Sequence, residues 1–182
     1  MMRAIVAAPA LPPTALADLK DWLGITTGSE DEGLLSLLRV ALEACEAFTG
    51  TIPIECTAEE VLPVAGDWQR LQTMPVHSIT QVEGINAAGT RLALSPADYA
   101  IDFDADGRGR IRIVNPGLAQ RVVVRFVAGL APDWSGLPDG LRHGVIRLAA
   151  NNYRQRETGG GDPVPPAAVA ALWRPWRRLR FA

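Results

Sequence analysis

Asp102, Asp104, Asp106 and Gly107, in the run DFDADGRGRIRI, have the spacing of the first half of a calcium loop, where alternate carboxylates converge on a hard cation and a glycine turns the chain. The second half is missing. A twelve-residue loop starting at Asp102 puts Ile113 where the bidentate carboxylate belongs, and Arg108 and Arg110 bring positive charge to the would-be ion. The flanks YAIDF and RIRIV alternate as strands do, so the expectation is a hairpin turn. His77 and His143 have no Cys or His beside them at zinc-ligand spacing. Cys45 and Cys56, the only cysteines, read as two reduced intracellular thiols. There is no G-x-S-x-G elbow, and the single lysine, Lys20, stands in no phosphate-binding loop. Gly159, Gly160 and Gly161 run into Asp-Pro rather than a helix start. Glu30, Asp31 and Glu32 suit the positive end of a helix better than an acid/base pair. No catalytic, cofactor-binding or metal-binding set is assembled, so no enzyme is expected.

The other chemically marked stretch is ALWRPWRRLRFA, residues 171–182. Trp173, Arg174, Trp176, Arg177, Arg178, Arg180 and Phe181 combine the residue types most enriched at binding hot spots. They could lie on a partner protein, stack on and neutralise a nucleic acid, or rest at a membrane interface. Alternatively, the tryptophans fold back on the chain's own core. TGGGDPVPP just upstream is a flexible-to-stiff linker that supplies reach.

Three helices and a β module must position these residues. ALADLKDWLG, with Thr14 as cap, aligns Leu16, Leu19, Trp22 and Leu23 before Gly24 stops the helix. A second helix opens on the capping box Ser29 and Glu32, carries Leu34, Leu38, Ala41, Cys45 and Phe48 at helical spacing, and ends at Gly50. Between Thr57 and Val127 the period becomes two, with strands expected in EEVLPVA, RLQT, ITQVEGI, TRLALS, YAIDF, RIRIV and RVVVRFVAG. Met74-Pro75 is expected to turn the chain into a strand. LPDGLRHGVIRLAANNYRQRE is a third, long helix, with Pro138 in its first turn and Gly140 and Gly144 allowing close packing. AAVAALW adds one or two helical turns. The expected fold is α+β: a single domain over residues 1–158, with a β module at about 57–128, then linker and arm over 159–182.

At 182 residues and 48% hydrophobic content, the chain can bury a real core, and no apolar run approaches the length that crosses a bilayer. MMRAIVAAPALPP imitates a signal peptide weakly, but its apolar run is short and broken by Pro9. The net charge of −2 hides a gradient: residues 1–60 hold 3 basic and 10 acidic side chains, residues 135–182 hold 8 and 3. An acidic front and a basic back can pair head to tail with further copies or with a partner of opposite pattern.

The order ALADLKDWLGI, EDEGLLSLLRVALEACEAFTG, LPV, MPVHSITQVEGI, DYAIDFD, VVVRFVAGL and LPDGLRHGVIRLAANNYRQRE, closing in the Trp/Arg tail, resembles the head-to-tail connector (adaptor) proteins of tailed phages, prophages and gene transfer agents. It covers about residues 14–182. The resemblance implies a structural protein of the particle's head-tail junction, assembled in the bacterial cytoplasm. It would form a ring, typically of twelve subunits, docked on the portal protein and joined to a tail-side stopper or terminator. Packaged DNA would pass through its channel without sequence-specific binding. No cofactor and no membrane are implied. The tail of residues 165–182 would grip the portal through Trp173, Arg174, Trp176, Arg177, Arg178, Arg180 and Phe181. A nucleic-acid-binding module using the same tail is the alternative.

Overall fold

A computed structural model describes residues 3–156 and 165–178 of the chain. It is an α+β protein of two compact units: Met1–Pro9 with Glu55–Leu130, and Ala10–Ile54 with Ala131–Ala182.

The first unit is the β module. Its main sheet runs β1 (Arg3–Ala7), β2 (Cys56–Pro63), β8 (Arg121–Ala128), β4 (Val76–Ile85) and β5 (Arg91–Ala93) in spatial order, antiparallel at every step. A smaller sheet has the order β3 (Gln69–Arg70), β7 (Gly109–Ile113), β6 (Tyr99–Phe103). Alternation decides the inward face: Val122, Val124, Phe126 and Ala128 of β8 stand opposite Leu62, Glu60, Ala58 and Cys56 of β2, all buried. Glu60 is the polar exception and is fully hydrogen-bonded. Its carboxylate accepts from the backbone N–H of Gln72 (2.9 Å) and Thr73 (2.8 Å) and from Thr73 Oγ1 (2.5 Å). These bonds explain why the strand expected over RLQT does not reach Thr73: the Leu71 N–H still donates to Gly109 O of β7 at 2.9 Å, but the Gln72 and Thr73 amides point at a buried carboxylate instead of a ladder.

On the opposite face of β2, Glu59 takes Arg125 Nη2 at 2.7 Å and Arg91 Nη1 at 2.9 Å. Burial opposes its ionisation, but the hydrogen bonds from Arg125 and then Arg91 outweigh that and hold its carboxyl below the usual range. The segment that imitates a signal peptide contributes β1, an edge strand exposed at every residue.

The second unit holds α1 (Pro13–Leu23), α2 (Asp31–Thr49), α3 (Asp139–Gln155) and α4 (Ala167–Trp173), followed by one 3-10 turn over Arg174–Trp176. Gly24 (φ 72°) and Gly50 (φ 76°) end α1 and α2 in the left-handed region, as their positions predict. The N-termini differ from expectation. Pro13 takes the first helical position of α1 and Pro12 stands at its cap, so Thr14 lies inside the first turn. Glu30, not Ser29, caps α2, which shifts Glu32 one place out of capping-box register. Likewise Pro138 is the residue before α3 rather than within it. Leu19, Leu34, Leu38, Cys45, Leu141 and Val145 form the core. Trp134 joins them while its Nε1 donates to Asp18 Oδ2 at 2.9 Å. Burial pushes the Cys45 thiol up to about 12, with Glu46 adding to it, which makes it a packing residue rather than a nucleophile.

Candidate functional site: the C-terminal segment and its seat

The hairpin holding Asp102, Asp104 and Asp106 forms as expected between β6 and β7. Gly107 (φ 79°) supplies the turn, donating to Asp104 O at 2.9 Å. Its carboxylates are matched to arginines. Asp102 pairs with Arg110, Asp104 accepts from Arg70 Nε at 3.0 Å, and Asp106 lies 3.8 Å from Arg108. The backbone N–H of Phe103, and then Arg110, keep the Asp102 carboxyl below its ordinary value. Positive charge thus already occupies the place a cation would take. His77 Nε2 lies 2.6 Å from Gly129 O and 3.5 Å from Glu55 Oε1, while His143 stacks edge-on against Trp22 at 5.0 Å. Among the described residues no three His, Cys, Asp or Glu side chains converge on a metal-sized site.

Glu30, read from sequence as a helix-start charge, has a tertiary role. Tyr153 O–H donates to its carboxylate and Arg156 pairs with it at 3.0 Å, tying the end of α3 to the start of α2. The Tyr153 hydrogen bond, followed by Arg156, depresses the Glu30 carboxyl, and the same bond raises the Tyr153 phenol.

The C-terminal candidates divide. Trp173, read from sequence either as a partner anchor or as folding back on the chain's own core, is fully buried in the helical unit (0% exposed). A glycine notch admits it: a Cβ on Gly144 would meet Trp173 Nε1 at 2.2 Å and Cδ1 at 2.8 Å. Its Nε1 donates to Leu141 O at 3.3 Å, and its ring tilts against Phe48 at 5.9 Å between centroids. The physical reason is area: a Trp at the end of an apolar turn, AAVAALW, gains more by filling a cavity than by remaining in water. Half-buried Trp176 closes over the neighbouring glycine, since a Cβ on Gly140 would lie 2.9 Å from its ring.

The arginines stay outside. Arg174, Arg177 and Arg178 are exposed. Arg177 sits 5.2 Å above the Phe48 ring, and the Arg178 backbone N–H donates to Thr49 O at 2.8 Å. Arg180 and Phe181 lie outside the described residues. The segment therefore has an apolar root held by Gly140, Gly144, Leu141 and Phe48, and a cationic end facing solvent. Phe48 appeared in the sequence only as one apolar stripe position, and its role as a wall of the Trp173 seat needed the packing of α2 beside α4.

No family model and no curated protein matches the sequence. Solved structures do. The chain is 33% identical to one in the neck of an empty gene transfer agent particle computed with C6 symmetry, over 100% of this chain and 98% of that one, with a TM-score of 0.77. A chain in the virion of a native gene transfer agent particle matches at 33% identity and TM-score 0.75, over the same shares of the two chains. The neck of a native particle computed with C12 symmetry contains one at 32% and 0.74, again covering 100% and 98%. At this identity and coverage, the protein belongs to the family of structural proteins found in the neck of gene transfer agent particles.

Proposed function

We propose that this protein is the head-to-tail adaptor of a gene transfer agent or phage particle: copies form a ring that docks on the portal, extends the DNA exit channel and offers a platform for tail attachment. The observation that carries this reading is the full-length match, at 33% identity, to a chain in a neck. A ring accords with the C6 and C12 symmetry in which the relatives' necks were computed, and fits a chain whose charge is divided between an acidic front and a basic back. The portal contact is assigned to Arg174, Trp176, Arg177, Arg178, Arg180 and Phe181. Trp173 is the root that orients them. Its burial also takes one ring away from base stacking, which weighs against reading the tail as a nucleic-acid site.

The test is co-purification with the portal assembly. Arg174→Glu, Arg178→Glu and Arg180→Glu together are expected to leave helix content and melting unchanged while abolishing portal capture and incorporation into necks. Unchanged capture by this triple variant would refute the assignment.

A further inference from the structure

The helical unit carries two large apolar side chains at its surface among the described residues, Trp22 (44% exposed) and Val40 (48% exposed), and they sit in opposite electrostatic settings. Trp22 walls a groove formed with Arg147, Asn151 and Arg154 of α3 and with Pro166 and Val169 at the start of α4. Arg147, Asn151 and Arg154 follow at four- and three-residue spacing, one stripe on α3 roughly opposite the fully buried Val145 and Ala149. Neither arginine forms an ion pair among the described residues. Val40 lies mid-way along the outer stripe of α2, where Glu32, Ser36, Val40, Glu43 and Ala47 are all exposed, opposite the buried Leu34, Leu38, Ala41 and Cys45. Glu32 and Glu43 are likewise without an ion pair among the described residues, and Arg39 is the one cation that α2 itself contributes.

The wider charge follows suit. Residues 10–54 carry seven acidic and two basic side chains, whereas residues 131–156 and 165–178 carry seven basic and two acidic. A mixed flank of Asp18, Asp21, Asp139, Arg142 and His143 lies on the other side of Trp22, so the cationic rim belongs to the α3–α4 side alone.

We infer that these two surfaces bind each other between copies: the α2 face of one chain, Val40 with Glu32 and Glu43 around it, seats in the Trp22 groove of the next, against Arg147 and Arg154. The occupant is a second copy because each patch supplies what the other lacks, an apolar centre with a rim of opposite sign. The patches do not overlap and are not self-complementary, so the contact is heterologous and repeats, which is what closes a ring. This inference rests on the ring reading above and adds which surfaces make the contact. The apolar centre supplies attraction that salt does not screen, and the rim sets register.

Sedimentation velocity of the full chain over a concentration series at low and high salt tests it, together with incorporation into necks. Wild type is expected to self-associate, less so at high salt. Arg147→Glu/Arg154→Glu and Glu32→Arg/Glu43→Arg should each weaken association about tenfold or more. Combining all four substitutions should restore it, an outcome that misfolding cannot mimic. Unchanged association of either double variant, or no rescue in the quadruple one, overturns the inference. The portal reading is judged separately. Association restored by charge exchange without any portal capture would refute the adaptor role and keep the contact, while normal portal capture by both double variants with undiminished ring formation would do the reverse.

Discussion

Gly144→Ala should destabilise this protein even though the same change in an ordinary helix interior stabilises by about 0.5–1 kcal/mol. The new Cβ would sit 2.2 Å from Trp173 Nε1, 2.8 Å from Cδ1 and 2.9 Å from Cε2, so the whole five-membered ring must move rather than one flexible tip. Two responses are open. If Trp173 shifts within its seat, the overpacking costs about 1–3 kcal/mol. If it leaves, the loss approaches that of deleting a buried Trp, about 3–5 kcal/mol, because its bond to Leu141 O and its contact with Phe48 go with it. After the helix-propensity gain is subtracted, the net loss is about 0–2.5 kcal/mol if the ring shifts and about 2–4.5 kcal/mol if it leaves. At roughly 2–4 °C per kcal/mol for a chain of this size, thermal unfolding followed by circular dichroism resolves it. Gly33→Ala is the control, since nothing lies within 4 Å of a Cβ built there on the same kind of backbone. In a Trp173→Ala background, Gly144→Ala should turn neutral or stabilising, because the clashing ring is gone. If Gly144→Ala matches Gly33→Ala in the wild-type background, Trp173 does not occupy the notch and the rooted-arm description fails.

Two further outcomes concern the β unit. Glu60→Ala removes the acceptor for the Gln72 and Thr73 amides and the Thr73 hydroxyl, and should cost about 2–3 kcal/mol in urea unfolding, whereas an exposed carboxylate such as Glu43 changes stability within about 0.5 kcal/mol. Glu59 has a folded pKa below its ordinary 4.5, so its contribution is complete above that value and disappears as pH falls through the lowered folded value; Glu59→Gln should flatten the acid limb of a stability–pH curve below about 4.5 and leave its slope at neutral pH unaltered.

Individual residues show how far reading the chain could reach. Runs of β-branched and apolar residues between turn residues located β2, β4, β6, β7 and β8, although burial alternates cleanly only along β7, while β8 is buried on both faces and β6 has no buried residue. RAIVA was not located this way: all five residues are exposed, and it is a strand only because β2 offers a free edge. Capping failed at Ser29 for a related reason. Ser29 has the right spacing, yet its hydroxyl lies 3.4 Å from Thr27 Oγ1 and Glu30 stands at the cap, bound to Tyr153, 123 residues away, and to Arg156. In the candidate site, the residue types of the tail were legible and their division was not, since Trp173 and Trp176 look alike until Gly140 and Gly144 are seen beneath them.

The α+β composition, the helix stops at Gly24 and Gly50, the turn at Gly107 and the acidic-to-basic gradient are local or summed properties, and the sequence by itself determined them. Which tryptophan is buried, which carboxylates are neutralised and which arginines stay exposed were decided by tertiary structure alone. Burial and pairing depend on what stands across a cavity or a sheet, and neighbours in space such as Trp173 and Gly144, or Glu59 and Arg125, are separated along the chain by distances that no local pattern spans.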